Sequence, residues 1–321
     1  MINSAEIEAA AARIAPHVVR TPLLHSGPLS ERHGADILIK CEHLQLTGSF
    51  KVRGSANFVH SLPKDEARLG VVTASSGNHG IGVSTAAASR GIAATIFLPS
   101  SASRSKVDQI RRLGAEIMTV DTTNSNDAEN AARDHAQEHG VPYVSPYNDP
   151  LIIAGQGTIG KELLEDGAHI DTVVVAVGGG GLISGIATWI KERSPDTRII
   201  GASASNDRAM AASIDAGEII TPVFAPTFSD GTAGGLEDDS ITFDICRELV
   251  DDWVDITEAD IAAAVTNMID DHHHLVEGSA GVAIAAATAH AAVAPGSRIA
   301  AVSCGANVSS DALARMIGAA G

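Results

Sequence analysis

Residues 47–54 read Thr-Gly-Ser-Phe-Lys-Val-Arg-Gly and come soon after the apolar run 37–40, which predicts a strand. Taken alone, Lys51 in this stretch would be an ordinary surface lysine in a turn. Three later segments place small and polar residues where a predicted strand ends: Ser-Ser-Gly-Asn-His at 75–79, four glycines at 178–181, and Ser-Cys-Gly-Ala-Asn at 303–307. Together with Lys51, these segments favour a binding site over a simple turn.

The rest of the chain alternates between apolar runs and amphipathic segments. Strands are predicted at 71–74, 94–98, 116–120, 172–177, 198–202 and 298–302, and the run 142–144 closes the first series. Helices are predicted at 80–89, 103–113, 126–139, 155–166, 182–193, 207–216, 241–249, 258–271 and 279–291, after a first helix capped by Ser4. This alternation predicts an α/β fold with parallel sheets. Residues 218–239, rich in Pro, Gly, Thr and Asp, are interpreted as an ordered loop.

Composition excludes several classes of protein. The 321 residues are 45% hydrophobic and 19% charged, which is typical of a globular chain. A formal charge of −17 argues against nucleic acid as a partner. An apolar run of roughly 20 residues, as a membrane span requires, is absent from the sequence. The N-terminus shows no export signal, and the widely spaced Cys41, Cys246 and Cys304 fit a cytoplasmic location.

The glycine run is the strongest motif after Lys51. Gly178, Gly179, Gly180 and Gly181 stand between a predicted strand and a helix beginning near Leu182. Without Cβ atoms, their backbone N–H groups can converge on a phosphate at a helix N-terminus. A plain tight turn is the alternative, although one or two glycines would be enough for it. A dinucleotide fingerprint is disfavoured, since Ile183 stands where its third glycine would fall.

The segment 75–79 has the same placement in the first series. Its hydroxyl and amide groups, together with the N–H groups of a helix N-terminus, suit a carboxylate. N-capping by Ser76 or Asn78 is the simpler alternative. His79 could act as a base, but a role in ordering the loop is the preferred interpretation.

Three further groups are given structural interpretations. Consecutive helical residues point about 100° apart, so the run 272–274 of three histidines cannot turn all its rings to one metal ion. The acidic runs 251–252 and 237–239 are interpreted as solvated. Cys304 could be an inert core thiol, although its place after a strand suggests a site.

The four segments together supply an amine for an imine, donors for a phenolic oxygen, a phosphate cup and a partner for a ring nitrogen. This is what pyridoxal phosphate needs. The chain resembles the fold-type II pyridoxal-phosphate enzymes, in particular the serine/threonine dehydratase and serine racemase group. The resemblance covers nearly the whole chain and is carried by the motifs at 21–23, 40–42, 48–54, 154–158, 277–281 and 303–307.

The resemblance implies a tryptophan synthase β-like fold with the active site in a cleft between two lobes. The large cofactor-binding domain would comprise residues 1–71 and 148–321, and the small domain residues 72–147. Members of the family commonly form homodimers. The resemblance also implies a small-molecule amino-acid substrate, amino-acid metabolism as the setting, and no membrane partner.

The resemblance also implies roles for individual residues. Lys51 would form the Schiff base with the cofactor, and Ser76 would be the acid or base on the opposite face. The cofactor would further contact Phe50, Asn78, Gly178, Gly179, Gly180, Gly181, Leu182 and Cys304. The substrate would contact Ser75, Ser76, Asn78, His79, Asp230 and Glu277.

The chain departs from the family pattern at three places. Cys304 replaces the serine that many relatives place at the ring nitrogen, and the ordinary pKa of a cysteine favours a thiol there over a thiolate. Ser203 and Ala209 stand where the racemases have the two acidic ligands of a divalent cation, so no such metal site is expected. Ser55 replaces the usual alanine, a change that the sequence does not explain.

The resemblance implies a lyase that converts L-threonine, L-serine or a related β-hydroxy amino acid to a 2-oxo acid and ammonia. The alternatives are a serine racemase, a dehydratase for hydroxyaspartate, phenylserine or a hydroxyectoine-pathway substrate, and a non-catalytic binding module. Such a module would be expected to lose Lys51 or the glycine run, and this chain keeps both.

Overall fold

A computed structural model describes residues 2–102, 104–123, 125–166 and 169–320. The strands are β1 (Leu23–His25), β2 (Asp36–Lys40), β3 (Val71–Ala74), β4 (Ala94–Pro99), β5 (Glu116–Val120), β6 (Thr172–Ala176), β7 (Arg198–Ala204), β8 (Asp252–Ile256) and β9 (Arg298–Val302). The α-helices are α1 (Ser4–Ile14), α2 (Gly27–His33), α3 (Lys51–Ser61), α4 (Lys64–Ala67), α5 (Asn78–Arg90), α6 (Arg104–Arg112), α7 (Ser125–His139), α8 (Pro150–Glu165), α9 (Gly181–Arg193), α10 (Ala209–Ala216), α11 (Ile241–Leu249), α12 (Glu258–His272), α13 (Gly278–Val293) and α14 (Ser310–Ala319). A 3₁₀ helix spans Glu42–Leu44.

Two sheets organise these elements. The larger has the order β1-β2-β9-β6-β7-β8; β1 runs antiparallel to β2, and the other pairings are parallel. The smaller has the order β3-β4-β5 and is parallel throughout. The predicted α/β class with parallel sheets is therefore confirmed. Within the described ranges, no helix is long and apolar enough to span a bilayer.

Local sequence explains where the main elements begin. β6 is Thr-Val-Val-Val-Ala and is buried along its whole length, as expected for a central strand of a parallel sheet. Helix α8 begins five residues before the predicted 155, because the Asp149 side chain accepts from the N–H groups of Leu151 and Ile152. Pro150 takes the first helical position, where a missing N–H costs nothing.

The structure corrects several predicted elements. Helix α1 is capped by Asn3 in a capping box with Glu6, rather than by Ser4. Residues 142–144 do not form a named strand; Tyr143 makes a single bridge to Val72. The sequence prediction missed β1, β8, α2, α3, α4 and α14. β8 was missed because Asp252 begins it in a run that was interpreted as solvated.

Helix α3 lies between the two sheets. It packs against α5 on one side and α8 on the other. Its Ala56 and Val59 belong to the same apolar cluster as Val71 and Ile81. Lys51, the first residue of α3, is therefore at the junction of the two sheets. The domain boundaries at 72 and 147 stay a prediction.

A network of buried charges anchors the other face of α3. The Arg53 side chain is fully buried and donates to Glu42, from Nε at 2.8 Å, and to Glu162, from Nη1 at 2.6 Å. Lys40 Nζ donates to Glu162 and to the carbonyl of Thr21, both at 2.6 Å. Burial by itself would raise the pKa of Glu42, but the charge and hydrogen bonds of Arg53 hold that pKa below its ordinary value. This network joins α3, α8 and the end of β2.

Candidate active site

A cavity of about 330 Å³ lies between the two sheets, where β3, β6 and β9 end. Carboxyl ends of parallel strands are the usual place for a ligand site in such folds. The cavity wall contains every residue that the sequence predicted for the site: Phe50, Lys51, Ser75, Ser76, Asn78, His79, Gly178, Gly179, Gly180, Gly181, Leu182, Asp230, Glu277 and Cys304. The fold therefore brings together segments that are far apart along the chain.

The Lys51 side chain is held by a backbone carbonyl. Its Nζ donates to the carbonyl of Pro146 at 2.7 Å. Burial lowers the pKa of Lys51 to about 8, although Cys304 and Glu277 oppose that shift. A larger fraction of the amine is therefore neutral near physiological pH than in a solvated lysine. Ser55, whose replacement of alanine the sequence left unexplained, donates from Oγ to the Lys51 carbonyl at 3.0 Å.

The glycine run gives α9 an open N-terminus in the cavity wall. Gly180 has φ +84°, a left-handed conformation that favours glycine in the turn. Gly178 and Gly179 are needed because neighbouring residues pack closely against them. A Cβ at Gly179 would lie 2.4 Å from the Tyr147 ring, and one at Gly178 would lie 2.6 Å from the carbonyl oxygen of Thr232. Among the residues that the structure describes, no side chain caps α9. The first N–H groups of the helix lack intrahelical partners, so this end suits an anion.

The segment 75–79 likewise opens into the cavity. Gly77 occupies the N-cap of α5, and no side chain within the described ranges caps this helix, so the N-capping alternative for Ser76 or Asn78 is wrong. Ser75 Oγ accepts from the Gly77 N–H at 3.2 Å. His79 Nε2 lies 2.9 Å from the Val144 carbonyl, to which it must donate. Burial, followed by the charge of Lys51, lowers the pKa of His79 to about 3, so this ring stays neutral and holds the loop in place.

Asn78, Glu277 and Asn307 form a hydrogen-bonded group on the cavity wall. Asn78 Nδ2 donates to Glu277 Oε1 at 2.8 Å, and its Oδ1 accepts from Asn307 Nδ2 at 2.6 Å. The Glu277 carboxylate also accepts from the Asn307 N–H at 3.0 Å. Asn78 is therefore fixed in orientation from both ends of its amide. Sequence reasoning gave Asn307 no role, although it closes the segment 303–307.

Cys304 faces the cavity as a thiol. Burial, and then the negative charge of Glu277, raise its pKa well above the ordinary value. Its carbonyl accepts from the Phe50 N–H at 3.0 Å, which ties the segment 47–54 to the end of β9. The ring-nitrogen position that the resemblance assigns to Cys304 thus holds a neutral and weak donor.

The sequence also missed residues on the side of the loop 218–239. Tyr147 packs against the glycine run, and its hydroxyl accepts from the Glu237 N–H at 2.8 Å. Glu237 is not simply solvated as predicted, because it pairs with Arg133 of α7 at 2.8 Å and accepts from Asn148 at 2.8 Å. This loop therefore connects with the lobe of the smaller sheet across the cavity.

Comparison with known proteins gives the same family throughout. A family model described as pyridoxal-phosphate dependent enzyme matches residues 14–305. The L-threonine ammonia-lyase of Thermotoga maritima is 39% identical over 317 residues, which is 99% of this chain and 78% of that protein. The serine racemase of Arabidopsis thaliana is 42% identical over 85% of this chain and 82% of its own length. The structure of the processed form of threonine deaminase isoform 2 from Solanum lycopersicum superposes with a TM-score of 0.92 and 33% identity, over 99% of this chain and 94% of that one.

Proposed function

The chain belongs to the family of pyridoxal-phosphate-dependent enzymes, and we propose that it is an ammonia-lyase for a β-hydroxy amino acid. The reaction converts L-threonine, L-serine or a close relative to a 2-oxo acid and ammonia. The observation that carries the proposal is the shared cavity. In it, the amine of Lys51, the open N-terminus of α9 and the segment 75–79 face one space that is large enough for a small molecule.

The cavity residues fit pyridoxal phosphate. The first N–H groups of α9 suit its phosphate, the Lys51 amine suits its aldehyde, and Phe50, Asn78 and Cys304 would surround its ring. When bound, the cofactor supplies an aldehyde for the substrate amine and an electron-withdrawing ring that stabilises negative charge at Cα.

The protein residues then position the substrate and move its proton. The N–H groups at the start of α5, with Ser75 and Ser76, bind the substrate carboxylate. Asp230 and Glu277 line the substrate side of the cavity. The Pro146 carbonyl orients Lys51 Nζ, and the lowered pKa favours the neutral amine that takes the Cα proton.

A panel of β-hydroxy amino acids tests the proposal directly. We expect ammonia and the matching 2-oxo acid to appear in equal amounts from L-threonine or L-serine. The panel should include hydroxyaspartate, phenylserine and hydroxyectoine-pathway substrates. A protein that binds the cofactor but releases ammonia from none of these compounds would refute the lyase assignment.

Racemisation of serine is a second candidate activity, because Ser76 also lines the cavity. A hydroxyl on the face opposite Lys51 could return a proton to Cα. We expect Ser76→Ala to lower D-serine formation from L-serine by about 10²-fold or more, with a smaller effect on ammonia release. Chiral chromatography of the products measures both. Ser89→Ala, an exposed change near the end of α5, is the control; an unchanged D-serine yield in Ser76→Ala would exclude Ser76 as that acid.

Gly179→Ala should weaken cofactor binding. The added Cβ would lie 2.4 Å from the Tyr147 ring, so the turn or the ring must move. Overpacking of this kind costs roughly 1–3 kcal/mol, and we expect about 5- to 150-fold weaker cofactor affinity. Titration of cofactor-free protein followed by absorbance measures this. Gly27→Ala is the matched control, because its Cβ would meet nothing within 4 Å.

We further propose a cytoplasmic homodimer that does not bind nucleic acid. The charge of −17 supports the absence of nucleic-acid binding. The three free cysteines support the cytoplasmic location. The dimer is supported by β1, an edge strand whose Leu24 is 41% exposed. Sedimentation equilibrium of the purified protein would reveal a monomer if the dimer is wrong.

A further inference from the structure

A second group of polar side chains lies outside the cavity, where β2 ends. Cys41 directly follows β2, His43 lies in the 3₁₀ helix, and His274 follows helix α12. Each of the three side chains offers one donor atom, and these atoms all lie within 4.8 Å of one another. The facing nitrogens, His43 Nε2 and His274 Nδ1, are 3.0 Å apart.

The backbone explains how one histidine of the run 272–274 reaches this position. Helix α12 ends at His272, whose Nε2 lies 2.9 Å from Ser26 Oγ. His273 adopts a left-handed conformation with φ 56°, so the chain turns sharply before His274. The spacing prediction assumed that all three histidines lie on one helix, whereas α12 ends at His272. It did not anticipate that His274 would meet ligands from another part of the chain.

The group is buried and has an unused donor or acceptor. The Cys41 side chain is fully buried and His43 is 4% exposed, while His274 is half-buried. Within the residues that the structure describes, Nδ1 of His43 has no hydrogen-bond partner. Buried nitrogens are rarely left in this state, because losing water without gaining a partner is costly. That atom is not one of the two facing nitrogens, Nε2 of His43 and Nδ1 of His274, which are the ones placed to bind an ion.

We propose that Cys41, His43 and His274 bind a thiophilic divalent cation of the zinc class, with a water molecule as the fourth ligand. One thiolate and two imidazoles form a ligand set that zinc favours over magnesium or calcium. Two nitrogens at about 2.0 Å from a tetrahedral ion are about 3.3 Å apart, close to the observed 3.0 Å, and the Cys41 sulfur, which lies within 4.8 Å of both, would come to about 3.5 Å from them. The thiol proton of Cys41 leaves to solvent as the metal–sulfur bond forms. This differs from the sequence prediction, which contained no metal site.

The bound ion would connect the site to the catalytic cavity. It would tie the end of β2 to the segment 274–277, whose last residue, Glu277, fixes Asn78 and Asn307. The His43 N–H also donates to the carbonyl of Ser303, the neighbour of Cys304. Because only the folded chain assembles these ligands, the ion should raise the thermal midpoint of unfolding. The proposal does not depend on which amino acid the enzyme converts.

Cobalt(II) is the probe for this site. The untagged holoenzyme, cleared of metal by a chelator, is titrated with Co²⁺ and followed by visible absorbance at wavelengths beyond the cofactor bands. We expect tetrahedral ligand-field bands that saturate at one ion per chain and disappear when Zn²⁺ is added. Zinc-edge X-ray absorption should show one sulfur and two imidazole ligands, and about one proton should be released per ion.

Variants separate this site from adventitious binding. His274→Ala should weaken affinity by more than the roughly 10- to 100-fold that loss of an outer-shell partner causes, and Cys41→Ser should remove the sulfur from the X-ray spectrum. His273→Asn keeps a residue that tolerates the left-handed turn and should bind normally, as should Cys246→Ser. Absence of stoichiometric tetrahedral cobalt bands, or a sulfur ligand that persists in Cys41→Ser, would overturn the proposal.

Discussion

Lys51→Ala is expected to lower ammonia release by about 10⁴-fold or more, because it removes both the cofactor's covalent partner and the base at Cα. Lys51 Nζ, held by the Pro146 carbonyl, is the amine that faces the glycine run and the segment 75–79 in one cavity. The variant should also lose the visible absorbance of lysine-linked cofactor. Lys64→Ala, an exposed lysine on α4, is the control and should keep wild-type turnover. Full deamination by Lys51→Ala would show that another group takes the proton.

The pH dependence of cofactor uptake tests whether the Lys51 amine is buried. Only the neutral amine attacks an aldehyde, so uptake should become faster as pH rises until Lys51 is deprotonated. Burial lowers the pKa of Lys51 to about 8. The rate of uptake by cofactor-free protein, measured by stopped-flow absorbance, should therefore be half-maximal near pH 8 and level off about one pH unit above that. A rate that keeps increasing to the range of a solvated lysine, about 10.4, would contradict that environment.

Arg53→Ala is expected to destabilise the fold by roughly 3–5 kcal/mol, a large share of the roughly 5–15 kcal/mol available to a typical domain. The change leaves the buried carboxylates of Glu42 and Glu162 without the guanidinium that pairs with both. Urea unfolding of the cofactor-free protein measures the loss. Arg68→Ala removes an exposed pair with Asp65 and should cost less than about 1 kcal/mol. Similar losses in the two variants would show that the buried network contributes little.

The stability that Arg53→Ala loses relative to the wild type should become smaller as pH falls. In the wild type, the pKa of Glu42 lies below its ordinary value. Its contribution to stability is therefore complete above the unfolded-state pKa and is lost as pH falls. Without Arg53, burial would instead raise this pKa, and the variant would gain stability as the carboxylate takes up a proton. The difference in unfolding free energy between wild type and Arg53→Ala should thus narrow below about pH 5.

The sequence determined the α/β architecture because its signals are local. A β-branched run such as 172–176 and a glycine run at its end indicate strand, turn and helix within a few residues. The elements that it missed carry weaker or conflicting local signals. Helix α3 starts in a glycine-rich segment and depends on packing against α5 and α8, and β8 starts with an aspartate at the edge of a sheet. Tertiary contacts outweigh local preference at both.

The site likewise has residues that the sequence could identify and contacts that it could not. Residue types and their positions at strand ends were enough to select Lys51, the glycine run and the segment 75–79. Only the tertiary structure supplied the Pro146 carbonyl, 95 positions from Lys51, since a backbone oxygen has no signature in residue type. It alone also brought Glu277 to Asn78 and His274 to Cys41 and His43, because these partners meet only after the sheets have assembled.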